Sequence, residues 1–148
     1  MPQSLARVLV HLVFSTKHRE PFIEWDSLEE TFSYLGGTLN AIDCPVVTVG
    51  GMPDHIHILF ELAQTLSLSQ AVEEVKRESS KWGKEHIHPG FDWQSGYGAF
   101  TVSPEDEPQV KAYIANQEEH HRTRTYQDEF REILRLHEIE WDEREVWD

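Results

Sequence analysis

The chain has 148 residues, 39% of them hydrophobic and 27% charged, with a formal net charge of −14. That length supports one domain burying roughly 68–70% of its unfolded surface. The single cysteine, Cys44, excludes an internal disulfide framework, and no run of ~18 apolar residues exists to cross a membrane. The opening Met1-Pro2-Gln3-Ser4 has no basic start followed by an apolar stretch, so no signal peptide and a cytoplasmic location are expected. Strong acidity argues against a polyphosphate partner in bulk, but the sign is uneven: residues 105–148 carry 14 acidic and 6 basic side chains.

The first predicted element is a strand over Arg7–Phe14, β-branched and aromatic. A helix over Ser27–Asn40 follows from Leu28, Phe32, Leu35 and Leu39, with Ser27 as N-cap and Glu30 three residues on. Pro45–Val49 reads as a second strand, Gly50–Asp54 as a tight turn and His55–Leu62 as a third strand closing the hairpin. A helix over about Ser69–Glu85 precedes a loop at Pro89–Trp93 and a fourth strand over Gly96–Val102. Ser103-Pro104-Glu105-Asp106 then has the residues that start a helix, expected to run to about His121. A last helix near Gln127–Leu136 leads into an acidic, aromatic tail. Strand–helix–strand–strand–helix–strand is the split βαβ order. It predicts an α+β, ferredoxin-like (RRM-like) fold: an antiparallel sheet, two helices on one face, and extra C-terminal helices free to cover an edge or reach a partner. Residues 1–148 are expected to form one domain, with a βαββαβ core over about 5–102 and the helical remainder over 103–148.

His55-Ile56-His57 is the sharpest chemical signal. Residues i and i+2 of a strand share a face, so both imidazoles can approach one ion while Ile56 points away. Imidazole suits Mn, Zn, Cu or Ni, and carboxamide and phosphate oxygens complete a harder site. The same pattern also fits two polar residues on a solvated strand face. Tyr113 and Gln117 are i and i+4 on the predicted helix, hence neighbours, although Val110, Tyr113, Ile114 and Gln117 equally fit an ordinary amphipathic helix. Taken together the two elements fit transesterification. A tyrosine hydroxyl needs activation at neutral pH, and a divalent ion polarises a phosphate and orients the leaving oxygen. No phosphate-binding loop of the P-loop pattern is present.

Candidate nucleic-acid contacts are basic. Arg77, Lys81 and Lys84 form one helical stripe, Lys17 and Arg19 a patch after the first strand, and Trp82 and Trp93 are candidates to stack on unpaired bases. The bland reading is an ion-paired helix surface and packed tryptophans. His86-Ile87-His88 repeats the His-x-His spacing but sits at a helix end, and His120-His121 diverge on a helix and are expected to flank the site. Cys44 reads as buried and structural.

The segment Gly50-Gly51-Met52-Pro53-Asp54-His55-Ile56-His57-Ile58-Leu59 resembles the histidine–hydrophobic–histidine motif of the small single-tyrosine transposases, including those associated with repetitive extragenic palindromes. His11–Lys17, Ser79–Trp82, Phe91–Phe100 and Val110–His121 are similar to further segments of that family in the same order. The resemblance implies that His55, His57 and Gln117 bind a divalent ion (Mg or Mn) and that Tyr113 attacks single-stranded DNA at hairpin-flanked ends. The product it implies is a 5′-phosphotyrosine with a free 3′-hydroxyl. It further implies a homodimer, often with the tyrosine helix serving the partner's histidines across a hinge at Ser103–Gln109. The alternatives are a domesticated hairpin-binding dimer that no longer transposes, and a metal-binding structural domain without nucleic acid. Strong acidity is the departure from what a DNA enzyme leads one to expect.

Overall fold

The computed structural model describes residues 2–148. β1 (Leu9–Ser15), β2 (Val46–Met52), β3 (His55–Glu61) and β4 (Gly98–Thr101) form one antiparallel sheet in the order β2-β3-β1-β4. This is the expected ferredoxin-like arrangement, and α1 (Leu28–Ala41) and α2 (Leu68–His86) lie together on one face. Strand alternation divides the side chains. Val10, Leu12 and Phe14 of β1 and Ile56, Ile58 and Phe60 of β3 meet Leu35 and Leu39 of α1 and Val72 and Val75 of α2 in the main core. Fully burying each such side chain contributes about 1.5–3 kcal/mol, which makes this face the principal source of stability.

Alternation sends Leu9, His11 and Val13 of β1 and His55, His57 and Leu59 of β3 to the second face. The register sets Val13 opposite His57 and Ser15 opposite His55. This face is covered too: by α3 (Glu107–Ala115), α4 (Gln117–His120), α5 (Tyr126–Leu136) and the tail. Ile114 packs on Leu9 and Leu59, while Tyr126, Phe130 and Leu134 pack on Val13 and Phe100. The C-terminal helices thus close a face of the sheet, not an edge, which is why every residue of β1 is buried.

Local differences from the sequence expectations have physical causes. β2 runs on to Met52, so the hairpin turn is Pro53-Asp54, held by Thr16 N donating to Asp54 O at 2.9 Å and Ile23 N to Pro53 O at 3.2 Å. Ser27 makes no side-chain cap because a 3-10 turn over Trp25–Ser27 feeds α1 directly. The capping box lies instead at the start of α2: Ser67 Oγ accepts from Gln70 N, and Gln70 Oε1 accepts from Ser67 N. The helix expected from Ser103 starts at Glu107 after a turn in which Ser103 Oγ accepts from Asp106 N. It also breaks at Asn116, whose N–H is shared between the Ala112 and Tyr113 carbonyls. The Asn116 backbone, at φ −104° and ψ 29°, separates the helix of Tyr113 from that of Gln117. α3 sits so close to β2 that a Cβ on Gly50 would lie 2.2 Å from Ile114 O; only glycine fits there.

Candidate active site

Between the second face and α3–α5, the side chains of His11, His55, His57, Tyr113, Gln117, His121 and Glu129 converge. His55, His57, Gln117 and Glu129 are each at most 2% exposed. His55 Nδ1 is 2.7 Å from Asp54 Oδ1; a carboxylate only accepts, so Nδ1 carries the proton and donates. Nε2 of His55 then faces two oxygens, Gln117 Oε1 at 3.0 Å and Glu129 Oε1 at 3.6 Å. His121 repeats the pattern. Its Nδ1 donates to the Arg124 carbonyl at 3.0 Å, and its Nε2 stands 3.2 Å from Gln117 Oε1 and 3.3 Å from Glu129 Oε1. His57 places Nε2 3.1 Å from Glu129 Oε1 and Nδ1 2.9 Å from His11 Nε2.

Two imidazoles whose remaining lone pairs converge on the same two oxygens call for positive charge between them. A divalent ion fits that donor set: adjacent ligands of an octahedral ion with bonds of about 2.1 Å stand about 3.0 Å apart. The nitrogen–oxygen separations here run from 3.0 to 3.6 Å. The Nδ1 contacts of His55 and His121 are the outer hydrogen bonds that fix tautomer and ring orientation at metal sites. His55, His121 and Glu129 alone bring one donor atom each within 4.8 Å of one another.

The Tyr113 hydroxyl donates to Glu129 Oε2 and accepts from Arg124 Nη2 at 3.3 Å; its ring lies edge-on to His57, with centroids 5.9 Å apart. Burial, reinforced by the Glu129 charge, pushes the phenol well above its ordinary range, while Arg124 pulls it back in part. Burial would raise Glu129 as well, yet hydrogen bonds from His121 and His57 outweigh it and hold the carboxylate well below its usual range. Burial lowers His57, and it lowers His11 to about 3 with help from the neighbouring His57 charge. His121 is also penalised by burial, but its bond to Glu129 prevails and raises it.

The four residues singled out for chemistry, Tyr113, His55, His57 and Gln117, therefore meet in one place within one chain. Missed were His11, Arg124 and Glu129, and His121 enters the cluster where it was expected only to flank it. His121 is one helical turn beyond Gln117, and that i, i+4 spacing was the signal for it. Glu129 had a readable signal: Tyr126, Glu129, Phe130, Ile133 and Leu134 recur at i, i+3, i+4, i+7 and i+8, so a carboxylate stands in the apolar stripe of α5. The basic candidates lie elsewhere. Lys17, Arg77 and Lys81 line a groove of about 610 Å³ together with Lys76 and Tyr97, on the α2 side of the sheet. Arg77 pairs with Glu74 and, at 3.5 Å, with Glu78. Arg19 stands 5.8 Å over the Trp147 ring, and Lys84 is tied to Phe91 O at 2.7 Å and Ser80 Oγ at 3.0 Å. Trp82 stacks with Tyr34 and with His86, at 4.9 and 5.1 Å between ring centroids, and Trp93 is 5% exposed in the core. No helix among the described residues is long and apolar enough to cross a membrane.

Comparison with known proteins identifies the family. Residues 4–117 match the family described as IS200-like transposases. The ISDra2 transposase TnpA of Deinococcus radiodurans is 25% identical over 114 residues, covering 72% of this chain and 81% of the relative. The fold is similar to a solved transposase structure from Deinococcus radiodurans R1, with TM-score 0.63 and 22% identity over 79% of this chain and 98% of that one. It is also similar to a REP-associated tyrosine transposase bound to a REP hairpin, with TM-score 0.55 and 13% identity over 77% and 68% of the two chains. With the family match spanning the sheet, the histidine pair, Tyr113 and Gln117, the chain belongs to the IS200-like transposases, the single-tyrosine family with the histidine–hydrophobic–histidine motif.

Proposed function

We propose that this protein is a metal-dependent transposase for single-stranded DNA that nicks and rejoins strands at hairpin-flanked ends through a 5′-phosphotyrosine. The observation that carries the reading is that Tyr113, its ring 5.9 Å from that of His57 and its hydroxyl bonded to Glu129, stands beside the cluster of His55, His57 and Gln117 within one chain. Those three side chains would hold a divalent ion, Mg or Mn. When bound, such an ion polarises the scissile phosphate and stabilises the charge that builds on the leaving oxygen. Tyr113 supplies the nucleophile: its oxygen bonds to phosphorus as the bond from phosphorus to the 3′-oxygen breaks. The phenolic proton is lost to water as the bond to phosphorus forms, and the freed 3′-oxygen takes a proton from water. Because one phosphoester replaces another, no nucleotide is consumed. Arg124, bonded to the phenol oxygen, offsets part of the cost of its developing negative charge.

Hairpin binding is supported by the REP-hairpin complex of the structural relative and by the groove joining Lys17, Arg77 and Lys81; Arg19, over the Trp147 ring, lies outside the lining of that groove and is proposed as a separate contact. Residues 1–148 act as one unit in this reading, because α5 and the tail complete the covering of the site. A homodimer remains part of the proposal, with the same-chain contact of Tyr113 favouring catalysis within each subunit. The test is incubation with short single-stranded hairpins and Mn²⁺, followed by a denaturing gel for protein–DNA adducts. Tyr113→Phe is expected to abolish the adduct and keep hairpin affinity within about threefold, since the change removes one hydroxyl and no positive charge. An undiminished adduct would move the nucleophile to another tyrosine.

A further inference from the structure

The two oxygens of the Glu129 carboxylate have different work. Oε1 stands 3.1 Å from His57 Nε2, 3.3 Å from His121 Nε2 and 3.6 Å from His55 Nε2; Oε2 receives the Tyr113 hydroxyl. The side chain is 0% exposed, in the apolar stripe of α5, and among the described residues no lysine or arginine pairs with it. A stripe position needs only an apolar side chain, and a carboxylate buried there requires hydrogen-bond donors or a cation to compensate it. Nδ1 of His55 and Nδ1 of His121 are committed to oxygen acceptors, so their Nε2 lone pairs and Glu129 Oε1 face the same point. With the Nδ1 protons in place, the geometry of these donors also fits one divalent ion at the point they face.

Resting on the function proposed above, we infer that Glu129 couples the nucleophile to the cation: Oε1 is a further metal donor beside the histidines, and Oε2 holds the Tyr113 phenol at fixed reach from the same ion. Glu129 lies 12 residues beyond the segment that matches the family, 4–117, so the match assigns it no role. The turn between α4 and α5 and the Thr125 cap of α5, whose Oγ1 accepts from Asp128 N at 3.2 Å, place it there. The C-terminal helix is thus a working part of the centre. Glu129 is a positioning residue for Tyr113 and a donor for the ion.

The test titrates the whole protein with Mn²⁺ by calorimetry, without DNA, for wild type, Glu129→Gln, Glu129→Ala and His55→Ala. Thermal melting confirms that each variant is folded. The isosteric Gln variant covers the case in which Ala fails to fold. Adduct formation on a hairpin is then followed in a single turnover at saturating Mn²⁺. Glu129→Gln is expected to weaken Mn²⁺ at least tenfold. Glu129→Ala is expected to stay at least tenfold slow even with the ion saturating, because the phenol is no longer held. Wild-type Mn²⁺ affinity in Glu129→Gln, or full recovery of rate at saturating Mn²⁺ in Glu129→Ala, overturns the inference. If His55→Ala loses Mn²⁺ while Glu129→Gln keeps it, the inference falls and the proposed function stands. If wild type binds no Mn²⁺, both fall.

Discussion

Replacing Gly50 by alanine puts a methyl group where α3 crosses β2. The new Cβ would sit 2.2 Å from Ile114 O, 2.8 Å from Ile114 Cγ2 and 3.0 Å from the Ile114 carbonyl carbon. Ordinary contact begins at 3.4 Å, so the helix backbone must retreat by the difference, 1.2 Å. A side-chain rotation cannot relieve it, because the nearest atom is a carbonyl oxygen. Ile114 is the residue after Tyr113, so the phenol moves with it. Misplacing a reacting group by 1 Å costs on the order of 10²-fold in rate, and overpacking of this kind costs about 1–3 kcal/mol in stability. Gly50→Ala is therefore expected to cut single-turnover adduct formation about 10²-fold, lower the thermal midpoint, and leave hairpin affinity within about threefold. Gly37→Ala is the control. Nothing lies within 4 Å of its added Cβ, and an alanine within a helix is expected to stabilise by about 0.5–1 kcal/mol. Wild-type adduct formation in Gly50→Ala would refute the claim that this contact sets the position of Tyr113.

Three further outcomes are expected. Mn²⁺ should raise the melting midpoint, by the equivalent of about 2.7 kcal/mol at 100 times its Kd, and EDTA should reverse the rise and abolish adducts; differential scanning fluorimetry reads the first and a denaturing gel the second. Lys76, which burial draws down to about 8, donates to the carbonyls of Gln94, Ser95 and Gly96 at 2.6, 3.2 and 2.8 Å. Lys76→Met strands those acceptors and should cost about 1–3 kcal/mol in urea unfolding; an unchanged midpoint would contradict it. Reversing Arg77 and Lys81 to glutamate should weaken hairpin binding at low salt and flatten its salt dependence by about 0.7 for each phosphate no longer neutralised, measured by fluorescence anisotropy. Identical slopes would remove the α2 groove from the DNA path.

Much of this molecule was legible in the sequence because its signals are local. Period-two alternation in β1 and β3 gave the sheet and separated His55 and His57 from Ile56, and Tyr113 and Gln117 stood one helical turn apart. What stayed hidden depends on contacts between distant elements. The stripe of α5 has a readable face, but nothing in its period says that the face closes on β1 and β3. Glu129, a lone acid among Tyr126, Phe130 and Leu134, gains meaning only when three imidazoles are seen around it. His121 stands one helical turn beyond Gln117, as Gln117 does beyond Tyr113, so its place on the same face was readable; that the face closes on His55 and Glu129 was not. Ser27 was an eligible cap that the preceding 3-10 turn made unnecessary.

Because helices fill both faces of the sheet, this fold has no open β surface on which unpaired bases could lie, the platform that related sheet architectures offer to RNA. Under the function proposed above, a strand of nucleic acid would run along the molecule's margins, touching loops and helix flanks, and only the phosphate to be cut would reach inward. On that reading recognition and chemistry are spatially divorced, and the rim is free to diversify toward new hairpins while the interior stays unaltered.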